Sequence, residues 1–174
     1  VRYNIKEKKY YYYFSDHPEN KLGYPRNIIC QYVDANNIVW LGSLEGLIRL
    51  DYVCGEFQLF DKTSDGRSLG AVYSIAEGLN HKLWIGTQRN GFWNFNTEKK
   101  TLQALYLPAV TPRSLDNYEI TRIYIDNLGI IWANVDPDGI LKIIPNSSVL
   151  RKMTDSPNLP LSKRLDNFSV RCIA

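Results

Sequence analysis

Histidine, the residue that most often carries out acid–base chemistry in enzymes, is rare in this chain. Its 174 residues include two histidines, His17 and His81, and each lies in a polar segment that predicts a surface turn. A general base needs a partner within hydrogen-bond reach, and the sequence shows none for either histidine. The G-x-S-x-G, H-E-x-x-H and phosphate-loop motifs are also absent from the sequence. We therefore predict no catalytic residue in this segment.

Two further groups contain the residue types that metal sites use. Asp136 and Asp138 flank Pro137 as a carboxylate pair, but Asp-Pro-Asp-Gly favours a turn, and calcium needs more oxygen ligands than this segment supplies. The cysteines are odd in number and lack C-x-x-C spacing, which argues against a zinc site or a disulfide framework. They are Cys30 and Cys172, in apolar runs typical of buried thiols, and Cys54, in a turn. We expect no metal and no cofactor.

The elements that position these residues come from an internal repeat. Each copy has a tryptophan within an apolar run and a glycine that opens the next run. The pairs are Trp40 with Gly46, Trp84 with Gly91, and Trp132 with Gly139. The tryptophans are 44 and 48 residues apart, and a period of roughly 20–50 residues indicates an array of one supersecondary unit.

Each repeat unit consists of short runs rich in β-branched and aromatic residues, with polar turns between them, as strands do. In the first unit the runs are 28–33, 38–43, 46–51 and 56–60. Four strands in a unit of roughly 40–45 residues predict a propeller blade. The tryptophans should pack between blades, and the paired glycines should adopt positive φ in tight turns. The small residue two positions after Trp40 and Trp84 should permit close approach of a neighbouring backbone.

The predicted fold class is therefore all-β, a fragment of a β-propeller with four-stranded antiparallel blades. We predict three whole blades, at 26–61, 71–107 and 118–153, with the end of a preceding blade at 1–15 and the first strand of a further blade at 166–174. A closed ring usually has ~4–8 blades, so we expect a piece of a longer polypeptide. Apolar blade faces at its two ends would favour self-association.

The repeated block resembles the two-component regulator propeller repeat. In this chain it runs from Trp40-Leu41-Gly42-Ser43 to Gly46-Leu47, and from Trp84-Ile85-Gly86-Thr87 to Gly91-Phe92. An acidic residue follows each first strand, at Asp34, Glu77 and Asp126. The third copy departs from the pattern, because Ala133-Asn134 replace the aliphatic residue and glycine.

The resemblance implies a role for the parent protein. Such repeats are similar to those in the extracytoplasmic sensor region of bacterial hybrid two-component histidine kinases, where propellers precede an immunoglobulin-like domain, a membrane helix and a kinase. It implies a periplasmic location and signalling through a homodimer. The implied ligand is an oligosaccharide, and this segment would perform no bond chemistry.

Candidate ligand contacts lie in the turns that surround the entrance of a propeller channel. Arg89 and Arg113 are the strongest candidates, because a guanidinium can hold a carboxylate or sulfate at two points. The other candidates are Asn90, Tyr118, Asp136 and Asp138. The alternative for each is an exposed side chain that only confers solubility.

Two other function classes remain open at the level of sequence. A protein-interaction propeller needs no special chemistry. A propeller glycosidase or lyase is a weaker alternative: Asp126-x-x-Gly129-x-x-Trp132 is only similar to the sialidase aspartate box, and a lyase needs a catalytic histidine that we cannot assign. The net charge of +3 does not predict nucleic-acid binding. No apolar stretch reaches the ~18–20 residues that span a bilayer, so contact with a membrane is expected only through the parent chain.

Overall fold

The computed structural model describes residues 2–11, 27–105, 118–136, 139–144 and 150–153. These residues form fourteen β-strands and one short 3-10 turn, Leu79–His81, and the described part of the chain contains no α-helix. The all-β prediction is confirmed.

Twelve of the strands form three four-stranded antiparallel sheets in chain order. Sheet I contains β3 (Ile28–Val33), β4 (Val39–Ser43), β5 (Leu47–Leu50) and β6 (Phe57–Phe60). Sheet II contains β7 (Val72–Glu77), β8 (Lys82–Thr87), β9 (Phe92–Asn96) and β10 (Thr101–Ala104). Sheet III contains β11 (Glu119–Ile125), β12 (Ile131–Asp136), β13 (Gly139–Ile143) and β14 (Leu150–Met153). This is the predicted blade architecture.

The three sheets share one register. Each tryptophan lies on the second strand, opposite Tyr32, Ala76 and Tyr124 of the respective first strands. Each first strand has an irregularity at the same place, between Ile28 and Cys30, between Val72 and Ser74, and between Ile120 and Arg122. Residues of the three sheets can therefore be compared position by position.

The first two strands form a separate hairpin, β1 (Arg2–Asn4) and β2 (Lys9–Tyr11). Its turn matches the one that joins the last two strands of sheets I and II. In all three turns a side-chain oxygen accepts hydrogen bonds from the backbone N–H groups two and three residues later, at Asn4, Asp51 and Asn96. The predicted strand at 166–174 lies outside the described residues.

The apolar core lies between consecutive sheets. Between sheets I and II, Trp40 is 2% exposed and meets Phe95 edge-on at 5.3 Å. Between sheets II and III, the half-buried Trp84 stacks on Phe92 at 5.3 Å and packs against aliphatic side chains of sheet III. Trp132 is half-buried, and the ammonium of Lys142 lies 5.0 Å from its ring.

Close approach of neighbouring backbones depends on two glycines of the second strands. A Cβ at Gly42 would lie 2.7 Å from the carbonyl oxygen of Val72, and a Cβ at Gly86 would lie 2.6 Å from that of Ile120. Each carbonyl belongs to the first strand of the next sheet, so the expected close approach is confirmed. The glycines that open or precede the third strands have φ of 152°, 74° and 91° at Gly46, Gly91 and Gly139.

A candidate ligand-binding rim

One end of sheet II is built from two segments that hold each other. The turn after β8 contacts residues 61–71, the linker from sheet I. Gln88 N donates to the Ala71 carbonyl at 3.0 Å. The side-chain amide of Asn90 donates to the carbonyls of Ser68 and Leu69 at 3.1 and 3.3 Å. We call this end of the molecule the rim.

Asn90 is fixed at three points. Besides its side-chain bonds, its backbone N–H donates to Thr87 Oγ1 at 3.1 Å, and its carbonyl accepts from the indole N–H of Trp93 at 2.6 Å. Trp93 is itself 3% exposed in the core between sheets I and II. The side chain of Arg89, the residue before Asn90, is exposed, so an exposed guanidinium group lies next to a firmly held backbone.

The linker forms a turn of its own beside the rim. Thr63 N donates to the Arg67 carbonyl at 2.9 Å, and the hydroxyl of Thr63 donates to the carboxylate of Asp65. That hydrogen bond, followed by the charge of Arg67, lowers the pKa of Asp65. Arg67 Nε lies 3.5 Å from Asp65 Oδ2, but both side chains are more than 60% exposed, so water screens this pair.

An open cavity of about 500 Å³ lies between the linker turn and the last strands of sheet II. Its volume falls in the roughly 300–1,000 Å³ range of small-molecule sites. Polar members of its lining are Thr63, Ser64, Asp65 and Arg67 from the linker, with Asn94 and Gln103 from sheet II. Hydroxyl, amide, carboxylate and guanidinium groups in one cavity suit a ligand rich in hydroxyl groups.

Apart from Arg67, which the sequence places in a loop that links two blades near the channel entrance, none of these cavity residues was predicted from the sequence as a ligand contact. The available signal was the polar run Thr63-Ser64-Asp65-Gly66 between two blades, which is evident as a turn. Its proximity to Asn94 and Gln103 depends on how the linker crosses sheet II, and residue patterns do not contain that information.

The predicted contacts are only partly brought together. Arg89 and Asn90 lie side by side at the rim, and Asp136 is exposed at the end of β12, at the position that Gln88 has beside sheet II. Tyr118 is half-buried and packs against the core between sheets II and III. Arg113 and Asp138 lie outside the described residues.

A second set of polar contacts lies at the opposite ends of sheets I and III. Asp34 Oδ1 accepts from the backbone N–H groups of Asn36 and Ile38, while its Oδ2 accepts from the Trp40 indole at 2.8 Å. Asp126 holds its turn in the same way, and its Oδ2 accepts from Trp132 at 3.0 Å. Each of these carboxylates ties a turn to the tryptophan of the second strand, a role that the residue pattern did not indicate.

Sheet II departs from this arrangement. The backbone bond that Asp34 N makes to Ile38 O is made by Gly78 N to Lys82 O, so Gly78 takes the position of the aspartate. Glu77 lies one residue earlier, at the end of β7. The signal was in the spacing to the tryptophan, which is six residues for Asp34 and Asp126 but seven for Glu77.

Glu77 instead bridges two sheets. Its Oε2 accepts from Ala35 N at 2.9 Å and from the Tyr32 hydroxyl at 3.4 Å, both in sheet I or its turn. Its Oε1 lies 3.5 Å from His81 Nδ1. The sequence shows no partner for His81, and the structure supplies one, because the 3-10 turn brings the imidazole back to the end of β7. Burial, and then the charge of Glu77, raises the pKa of Tyr32.

Cysteines and charged clusters add no metal site in the described part of the chain. Cys30 is half-buried and Cys54 is exposed, and both are free thiols. Burial raises the pKa of the Cys30 thiol to about 11, so little of it is thiolate at neutral pH. Among the described residues no group of His, Cys, Asp and Glu side chains could hold a metal ion, and no helix there has the length and apolarity to cross a membrane.

Comparison with solved structures gives the fold a wider context. The chain is similar to the extracellular domain of the hybrid two-component system BT4673 of B. thetaiotaomicron, with a TM-score of 0.61, 22% identity, and coverage of 72% of this chain and 18% of that one. A similar domain of BT3049 from B. thetaiotaomicron has a TM-score of 0.50 and 24% identity, with coverage of 71% of this chain and 15% of that one. PorZ, a surface component of the type-IX secretion system of Porphyromonas gingivalis, has a TM-score of 0.64 and 16% identity, with coverage of 87% of this chain and 24% of that one.

These likenesses show the fold. No protein-family model matches the chain, and no curated protein matches it significantly. The resemblance predicted from the tryptophan repeat, to the extracytoplasmic region of hybrid two-component systems, is confirmed at the level of fold. The chain spans about a fifth of the BT4673 domain. PorZ shows that proteins of another role also use this fold, so function has to be argued from the site.

Proposed function

We propose that this segment is a non-catalytic, ligand-binding part of the extracytoplasmic sensor region of a hybrid two-component histidine kinase, located in the periplasm. The likeness to extracellular domains of such systems supports the class of protein. The sequence contains no recognisable catalytic motif, which favours a binding role over a catalytic one.

The rim carries the proposal for the ligand. It combines a cavity of about 500 Å³, lined by hydroxyl and amide groups, with Arg67 in its lining and the exposed Arg89 on the turn that holds the linker. Guanidinium groups bind carboxylate and sulfate at two points. The ligand class that fits is an oligosaccharide, with an anionic one favoured.

Signal transmission follows from the stiffness of the stacked sheets. Sheets joined by continuous apolar clusters move as a body, so a ligand that binds one arrangement of a homodimer better than another shifts the population of the two. The membrane helices of the parent chain would receive that shift. Dimerisation and the remaining blades of the parent propeller are parts of this proposal.

Calorimetric titration of the intact parent ectodomain tests the ligand site. Neutral, uronic and sulfated oligosaccharides are compared at low and moderate salt, in the wild type and in the variants Arg67→Ala, Arg89→Ala and Arg113→Ala. Because a hydrogen bond to a charged group contributes about 1.5–3 kcal/mol, loss of one contact should weaken binding by ~10–100-fold. Lys99→Ala, which removes an exposed cation from the opposite end of sheet II, is the matched control.

The outcomes separate the alternatives. Weaker binding in Arg67→Ala or Arg89→Ala, with Lys99→Ala unchanged, supports a glycan site at the rim. Unchanged binding in all the arginine variants would contradict it and leave the segment as scaffold. Failure to bind any sugar would favour the protein-interaction propeller.

A further inference from the structure

The linker between sheets I and II folds back on itself as a small hairpin. Leu69 N donates to the Asp61 carbonyl at 2.7 Å, and Lys62 pairs with Ser68 in an antiparallel bridge. The end of this hairpin is the linker turn, residues 63–67, which supplies one wall of the cavity. The position of that wall therefore depends on how the base of the hairpin is held.

The linker turn lies largely in solvent. The side chains of Ser64, Asp65 and Arg67 are exposed, whereas Leu69 at the base is fully buried in the core between sheets I and II. A segment with exposed side chains and few buried apolar contacts opens more easily than the core of a fold. The turn is therefore fixed from its base, where Leu69 supplies an apolar anchor.

Asn90 supplies a polar anchor at the same base. Its side-chain nitrogen carries two N–H donors, and it donates to two carbonyls, those of Ser68 and Leu69. The backbone of Asn90 is itself bonded to Thr87 and Trp93, so the amide projects from a fixed point. The described lining of the cavity does not include Asn90. The donors of this amide therefore serve the linker.

Gly70 leaves the space that this amide needs. It follows Leu69 directly and has a φ of 68°, in the left-handed region that side chains rarely adopt. A Cβ at Gly70 would lie 2.7 Å from Asn90 Nδ2, a distance that real Cβ atoms do not tolerate. A side chain at this position would therefore push the amide away from the two carbonyls.

We infer that Asn90 and Gly70 form a latch that positions the linker wall of the cavity. Asn90 is then a positioning residue and does not contact the ligand. When the latch opens, the wall leaves its place, and the apparent affinity falls with the fraction of molecules in which the wall is in place. This effect on affinity rests on the proposed ligand site, whereas the latch itself does not.

Hydrogen exchange of the parent ectodomain without ligand tests the latch. Exchange is followed by mass spectrometry in peptides that contain Leu69, whose amide bonds within the hairpin, and Gln88, whose amide bonds to the linker. Asn90→Ala removes two hydrogen bonds, so it should speed exchange of both amides by about tenfold or more. The amide of Gly78, at the opposite end of sheet II, should exchange at an unchanged rate.

Three further variants separate the latch from other effects. Asn90→Asp keeps the shape and the acceptor of the side chain but cannot donate, so exchange should be as fast as in Asn90→Ala. Gly70→Ala should speed exchange in the wild-type background and add much less in Asn90→Ala, where the amide is already absent. The matched control is Gly55→Ala, since Gly55 has a φ of 79° with no atom within 4 Å of the added Cβ. It should leave exchange of the linker unchanged.

Titration with neutral and uronic oligosaccharides then relates the latch to the cavity. Asn90→Ala should weaken binding of both kinds of sugar by the same factor, because a displaced wall affects every ligand of the cavity. Arg67→Ala should weaken binding of the uronic sugar more than that of the neutral one, because it removes a charged contact. A direct ligand contact through Asn90 would instead weaken the two sugars unequally.

The outcomes of the two measurements are distinguishable. Unchanged exchange in Asn90→Ala, or wild-type exchange in Asn90→Asp, would overturn the latch. Faster exchange with unchanged affinity for a sugar that the wild type binds would show that the latch does not position the cavity wall. If the wild type binds no sugar, the proposed function fails, and the exchange rates still decide the latch.

Discussion

Two junctions between sheets can be compared, one between sheets I and II and one between sheets II and III. They have the same strand arrangement, but different side chains fill them. In the first, Trp40, Phe60 and Phe95 form a ring cluster with centroids 4.6–6.3 Å apart. In the second, sheet III contributes aliphatic residues, among them Ile120, Ile131 and Leu141, to the rings of Trp84 and Phe92. Blade packing therefore requires apolar volume and a common register more than it requires particular residues.

The polar edge of the two junctions differs as well. Glu77 of sheet II accepts hydrogen bonds from Tyr32 and Ala35, and so ties sheet II to sheet I. At the corresponding positions of the second junction stand Ala76, Leu79 and Ile125, and Leu79 lies against Gly129. The first junction therefore combines aromatic rings with the two hydrogen bonds that the Glu77 carboxylate accepts, which we call the carboxylate clamp. The second junction has apolar residues at the corresponding positions of this edge.

The largest effect is expected from truncating the ring cluster. Trp40→Ala should lower the free energy of unfolding by ~3–5 kcal/mol, because it leaves a cavity among buried rings. Trp84→Ala should cost less, since that ring is half-buried. Urea unfolding followed by circular dichroism measures both. A loss in Trp84→Ala equal to or larger than that in Trp40→Ala would contradict the ranking of the two junctions.

Adding a methyl group at the closest backbone contacts comes next. Gly42→Ala and Gly86→Ala should each cost ~1–3 kcal/mol through overpacking, because each new Cβ meets a carbonyl of the next sheet. Asn134→Ala loses the hydrogen bond to Thr121, for which about 1 kcal/mol is expected. Part of the loss in Gly42→Ala should be recovered with Cys30→Ala, since Cys30 Sγ lies 2.5 Å from the added Cβ position. An unchanged free energy of unfolding in both glycine variants would contradict the close approach of these glycines to the backbone of the next sheet.

Removing the carboxylate clamp tests the polar difference between the junctions. Glu77→Ala should lower the free energy of unfolding by ~1–2 kcal/mol, because Ala35 N and the Tyr32 hydroxyl lose a charged acceptor. Glu98→Ala removes an exposed carboxylate from a turn and should change stability by less than ~0.5 kcal/mol. In a Tyr32→Phe background the loss from Glu77→Ala should shrink. Strict additivity of the two substitutions would mean that the contact across the junction is not stabilising.

The smallest effect concerns the acid dependence of the third sheet. The hydrogen bond from the Trp132 indole, then those from the backbone, lower the pKa of Asp126 below its ordinary value of 3.8. A depressed folded-state pKa contributes stability above the unfolded pKa, and that stability is lost as the pH falls through the folded value. Stability should therefore decline on acidification below about pH 4.

Asp126→Asn should flatten that decline. It keeps an acceptor for Trp132 but does not titrate, so its unfolding free energy should depend less on pH between about 4 and 2 than that of the wild type. Asp51 and Asp65 also have lowered pKa values, so some acid dependence should persist. Identical pH profiles for the variant and the wild type would show that Asp126 does not contribute.

Much of the fold could be predicted because strand signals are local. The alternation of apolar residues, the turn residues and the recurring tryptophan each act over a few positions, and they predicted the four-stranded sheets correctly. The candidate site was harder to predict than the fold. The sequence named Arg89 and Asn90 as candidate ligand contacts, but it could not show that Asn90 holds the linker, because its partners there are 21 and 22 positions away.

By itself, the sequence determined the all-β repeat and the positions of the blade tryptophans, since these follow from patterns within one unit. Tertiary structure decided which residues meet across units. It turned Glu77 into a bridge to sheet I, with Gly78 at the position that Asp34 and Asp126 have in the other two sheets, and it brought the linker turn to the end of sheet II, where the cavity forms. The physical reason is that contacts between blades depend on the path and spacing of neighbouring backbones, which no single repeat encodes.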